Sequence, residues 1–147
     1  MKEINNNIRE DYCSFEVSKL FKEKGFDVTC LHFYTNPRSK MYGVDEECGA
    51  YIIKNTPKKL YTCGKHAAEK SKNVFFAPTH ALAIEWIRVN FGIHLWVEIW
   101  RNYSKYSDND YMYVSHIWVK DKVKVREGKS LQEATEAALK YVLEELI

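Results

Sequence analysis

The chain has 147 residues, 46% of them apolar, and 22 Lys and Arg against 20 Asp and Glu leave a net charge of +2. Such a length buries a single core, and so balanced a charge gives no global field to draw in nucleic acid or a membrane, so any electrostatic binding must come from a local cluster. No apolar run approaches the ~20 residues that cross a bilayer, and the opening MKEINNNIRED lacks the apolar centre of a secretory leader; a cytoplasmic protein with no membrane contact is expected, its four cysteines reduced.

Taken in order, residues 1–12 are polar and Asn-rich and read as a loose arm of one domain spanning 1–147. CSFEVSKLFKEKGF predicts a helix over 14–24, with Ser14 as cap, Cys13, Val17, Leu20 and Phe21 at helical spacing, and Gly25 suited to a left-handed stop. DVTCLHFYT then reads as a strand, NPRSK as a turn, and second and third strands are expected near Met41–Val44 and in GAYIIKNT. Residues 57–73 follow neither period and carry Lys58, Lys59, Lys65, Lys70 and Lys72 against Glu69, a basic, loop-like insertion. APTHALAIEWIRVNFG reopens a helix, with Pro78 near its first position, Thr79 as cap and Gly92 as stop. GIHLWVEIW and YMYVSHIWVK, joined by the polar NYSKYSDND, make a hairpin, and GKSLQEATEAALKYVLEELI closes with a Ser130–Glu133 capping box and a stripe of Leu131, Ala134, Ala138, Val142 and Leu146.

The order α-β(2-3)-α-β-β-α predicts an α+β domain, an antiparallel sheet of about five strands with two or three helices packed on it. CSFEVSKLFKEKGF, APTHALAIEWIRVNFGIHLWVEI and SLQEATEAALKYVLEELI resemble segments of small uncharacterised proteins encoded in bacterial phage, prophage and other mobile-element regions. In that group a short helix ends in a KGF-like stop, an APT-like start opens a Trp-bearing helix, and a capped final helix follows a basic hairpin. The group carries no assigned activity, so the resemblance implies a mobile-element origin and transfers no site residue.

The hairpin holds the main candidate site. At period two, Ile93, Leu95, Val97 and Ile99 share one face of the first strand, and His94, Trp96, Glu98 and Trp100 share the other. A register setting Trp96 opposite Trp118, Glu98 opposite His116 and Trp100 opposite Val114 gathers three Trp, a Glu and a His on one face. If that face is open it is a contact surface for a protein partner or a second copy of the chain; if a helix covers it, the Trp are core. The alternative is single-stranded nucleic acid stacking on the Trp, with Lys58, Lys59, Lys65, Lys70 and Lys72 tracking phosphates. A zinc site would draw on Cys30, His32, Cys63 and His66, but the first pair lacks the usual ligand gap. Glu98 and His116 read more simply as a cross-strand pair than as an acid–base couple, and no phosphate loop or nucleophile elbow accompanies them. The expectation is a non-catalytic interaction or self-associating accessory protein without metal or cofactor.

Overall fold

Three hydroxyl side chains start the three helices of the described chain. The computed structural model describes residues 11–28, 30, 32–35, 51–53, 60–62, 74–101 and 111–147. Ser14 Oγ accepts the Val17 N–H to open α1 (Phe15–Glu23), Thr79 Oγ1 accepts the Leu82 N–H to open α2 (His80–Phe91), and Ser130 Oγ accepts the Glu133 N–H to open α3 (Leu131–Tyr141). Gly92 ends α2 in the left-handed region at φ 66°, as expected, and Gly25 stands just beyond α1 at φ 82°. Pro78 lies one residue before the Thr79 cap rather than inside the helix. Beyond α3 the chain continues as a wider, π-helical turn over Val142–Leu146.

The strands are β1 (His32–Thr35), β2 (Tyr51–Ile53), β3 (Leu60–Thr62), β4 (Val74–Phe76), β5 (His94–Arg101), β6 (Tyr111–Val119) and β7 (Lys122–Gly128). The α+β class and the antiparallel pairing hold, but the expected single sheet of about five strands is replaced by two sheets, β2-β3-β1-β4 and β5-β6-β7. Three observed strands were not expected, β3, β4 and β7, with β4 in the VFF that precedes the predicted second helix. β3 lies inside the expected 57–73 loop, and β7 follows β6 through Lys120–Asp121, a two-residue connection without the usual Gly, in which Lys120 itself takes φ 53°. The expected strand at Met41–Val44 and residues 1–10 of the expected arm fall outside the described residues. The arm's end is held in place: His80 N–H donates to the Asp11 carbonyl and Cys13 N–H to the Pro78 carbonyl, both at 2.9 Å, around a Tyr12–Thr79 bridge.

The core lies where α1, α2 and α3 meet one face of β5-β6-β7. Val17 and Phe21 of α1, Ala83, Trp86 and Ile87 of α2, Leu95 and Ile117 of the sheet, and Ala138, Leu139, Val142 and Leu143 near the chain's end form one buried cluster. Of the stripe expected on α3, Ala134, Ala138 and Val142 are buried and Leu146 packs partly buried against the core, whereas Leu131, the first residue of the helix, is 51% exposed. Small residues let α3 sit close to β7: a Cβ added to Gly128 would run into the backbone N and Cα of Ala134. Replacing Gly128 by Ala is therefore expected to destabilise the protein by about 1–3 kcal/mol, read as a lowered urea midpoint at unchanged slope.

Candidate functional site

The alternation Trp96-Val97-Glu98-Ile99-Trp100 sends Trp96, Glu98 and Trp100 to one face of β5, and the observed register sets the rest. His94 pairs with Trp118, Trp96 with His116, Glu98 with Val114 and Trp100 with Met112. The expected pairing, Trp96 with Trp118, Glu98 with His116 and Trp100 with Val114, is thus displaced by two residues. A two-residue slip keeps every side chain on its face, so the cluster survives while its cross-strand partners change. On β7 the same face continues with Val123 opposite Trp118, Val125 opposite His116 and Glu127 opposite Val114.

This face is open. Trp96, Trp100 and Trp118 are 38%, 47% and 49% exposed, and Val123 and Val125 are 53% and 46% exposed. Helices α2 and α3 stand on the other side, where Leu95, Ile117 and Ser115 are buried. The strand β7 reverses the usual amphipathic arrangement: its valines turn toward solvent, while Lys122, Lys124 and Arg126 share the helix side, Arg126 lying 3.9 Å from the centre of the Tyr141 ring. An edge strand with inward charges resists pairing with another chain's edge, which leaves its face rather than its rim for contact.

Glu98 organises the open face. Its Oε1 accepts the Trp96 indole N–H at 3.3 Å and its Oε2 the Trp100 indole N–H at 2.9 Å, while His116 Nε2 lies 3.1 Å from Oε2. The His116 ring stacks on Trp96 at 5.0 Å between centres with planes 9° apart, and it meets Trp100 at 5.9 Å. The hydrogen bond from Trp100, then that from Trp96, hold the Glu98 carboxyl below the usual carboxylate range, with His116 adding in the same direction. The result is two indoles locked at fixed angles on either side of an ionised carboxylate that still faces water. Three bonds leave one of about four acceptor directions of the carboxylate to be filled by something else.

Of the other sequence candidates, only Cys30 and His32 are among the described residues. Lys58, Lys59, Lys65, Lys70 and Lys72 lie outside the described residues, as do Cys63 and His66. Cys30 packs against the core with its Sγ 3.5 Å from the Val28 carbonyl, burial pushing its thiol up to about 11, and the His32 ring lies 4.2 Å from that of Tyr12. The residues that sequence reasoning missed are Val123, Val125 and Glu127; their signal was the period-two run KVKVRE, hidden behind a turn that carries no turn-forming residue pair. No protein-family model, no curated protein and no solved structure matches the chain.

Two outcomes follow from this geometry. Trp100→Ala should cost under about 1 kcal/mol, as expected for a half-exposed cross-strand contact, whereas Ile117→Ala on the opposite face of the same sheet should cost about 2–5 kcal/mol; chemical denaturation of both variants checks this. The folded value of Glu98 lies below its unfolded value, so its bonds are in place above the ordinary carboxylate range and are lost only as pH falls through the lowered one. Below the ordinary carboxylate range of about pH 4.3 tryptophan emission should show an acid step, and that step should be missing from Glu98→Gln.

Proposed function

We propose that this protein is a non-catalytic binding module whose open sheet face receives an arginine-bearing segment of a protein partner. The observation that carries this reading is the ionised Glu98 carboxylate held between the Trp96 and Trp100 indoles on a face no described helix covers. A guanidinium suits that arrangement on both counts. It is planar and weakly hydrated, stacks on an indole face, and donates to a carboxylate with hydrogens fixed in a fork, where an ammonium offers only a point charge. The exposed Trp118, Val123 and Val125 supply the apolar surround that shields such a contact from water.

Charge weighs against the other occupants. Nucleic acid stacked on Trp96 and Trp100 would bring phosphates toward Glu98 and Glu127, and Lys122, Lys124 and Arg126 of β7 share the opposite face. A symmetric pairing of two copies through this face would place two ionised Glu98 side chains within one apolar contact, a costly arrangement without a cation between them.

One arginine on an indole and a carboxylate is worth about 2–4 kcal/mol, which corresponds to a dissociation constant of about a millimolar or weaker. The informative probe is therefore a short extended peptide of alternating Arg and Val rather than free arginine. Saturable quenching of tryptophan emission by this peptide is expected, weakened at least about tenfold when citrulline replaces arginine or when Glu98→Gln removes the carboxylate, since 1.4 kcal/mol is a factor of ten. Quenching by oligothymidylate that exceeds quenching by the peptide, or peptide binding indifferent to Glu98→Gln, overturns the reading.

A further inference from the structure

A second group of chemically capable side chains lies on the far side of the molecule's core, where the starts of α1 and α2 meet the middle of α3. The Cys13 thiol, the His80 imidazole and the Glu136 carboxylate each bring one ligand atom to within 4.8 Å of the other two. Cys13 is fully buried and His80 is 8% exposed. A thiol from the residue before the α1 cap, an imidazole from the first residue of α2 and a carboxylate from α3 are the donor types that zinc takes, and three protein donors with one position left over is the arrangement of a metal that keeps a solvent or substrate ligand.

The donors are fixed before any ion arrives. The Cys13 backbone is pinned by its N–H to the Pro78 carbonyl at 2.9 Å and by the Tyr34 hydroxyl, which donates to the Cys13 carbonyl at 2.9 Å. His80 is the first residue of α2, and its backbone N–H is held by the Asp11 carbonyl. Glu136 is oriented by Ser14, whose N–H donates to Oε1 at 2.9 Å and whose hydroxyl donates to Oε2 at 2.7 Å. Such outer contacts are what aim metal ligands, and here they exist on the Glu and Cys arms alike. His80 Nε2 lies 2.8 Å from Glu136 Oε1, a separation that an ion bridging the two replaces with two coordinate bonds. Beside the cluster lies a cleft of about 350 Å³ lined by His80 itself together with Asp11, Thr79, Ile84, Val97 and Thr135, so the cleft reaches the cluster at its histidine.

From this convergence we infer that Cys13, His80 and Glu136 bind a divalent transition-metal ion, zinc by preference, with its fourth position open to the cleft. A thiol must lose its proton to ligate, so uptake releases that proton to solvent and leaves thiolate, neutral imidazole and carboxylate around the dication. The site is separate from the Trp face and does not depend on the reading of that face. It also differs from the zinc set considered from sequence, of which Cys63 and His66 lie outside the described residues.

The test uses the full reduced chain with cobalt(II) as a spectroscopic stand-in for zinc. One equivalent should bind with a thiolate-to-cobalt charge-transfer band and the strong visible bands of a four-coordinate ion, and zinc should displace it. Cys13→Ser and His80→Asn should abolish the band or weaken binding at least about tenfold, and Ser14→Ala, which leaves all three ligands, should weaken it by a smaller factor. Because Cys13 is buried and its variant can fail to fold, cadmium-113 NMR of the unmutated chain gives an independent reading. A resonance with one sulfur and one histidine nitrogen is expected. No uptake of cobalt, a charge-transfer band that persists in folded Cys13→Ser, or a cadmium site with two or more sulfurs overturns the proposal.

Discussion

The grip of Glu136 on Ser14 and His80 is the contact around which the helices of this protein are arranged. A single carboxylate on α3 takes the backbone N–H and hydroxyl of the residue that caps α1 and meets the ring of the first residue of α2. Both helices present their N-terminal ends to it, the ends at which unpaired N–H groups and the helix dipole favour negative charge. An isolated carboxylate could not sit there half-desolvated, but this one has a partner on each oxygen. With the three helix axes tied at one point, Phe21, Ile87 and Leu139 close the space beneath it.

That closure decides which face of β5-β6-β7 is covered. The sheet has helices enough for one side, so Leu95 and Ile117 go inward and the Trp-bearing side stays in water. Contacts within the sheet then have to order the indoles, and Glu98, two residues from each along β5, does so through both of their N–H groups. On β7 the valines lie on the open side and the basic residues on the helix side, where the Arg126 guanidinium sits over the Tyr141 ring at the rim of α3.

What was legible in the sequence follows from the range of the forces involved. Ser14, Thr79, Ser130 and Gly92 act within one helical turn, so their roles could be read locally, and they stand as read. Period two assigned Leu95 and Trp96 to opposite faces for the same reason, and this assignment outlasted a register displaced by two residues. The register itself depends on the long β5–β6 connection, for which no turn rule applies. β7 escaped notice because Lys120 adopts a left-handed conformation that its residue type does not announce. Whether the Trp face was core or surface depended on where the helices went, and that was settled by Ser14, His80 and Glu136, residues distant in sequence whose spacing forms no motif. Cys13 read as an ordinary apolar helix residue; its burial agrees, and only the fold reveals its neighbours.

The ties between α1 and α3 also bear on how the chain reaches this state. Ser14 and Glu136 are 122 positions apart, Lys24 and the Ile147 carbonyl 123, and Glu16 and Lys140 124. Contacts so remote are slow to find, since the intervening loop must be closed before any of them contributes. During synthesis at about 5–20 residues per second, α1 emerges on the order of 10 s before the helix that completes its environment. Through that interval Val17 and Phe21 have no α3 to pack against, and the arrival of α3 converts a nascent chain with an unfinished apolar seam into the closed core.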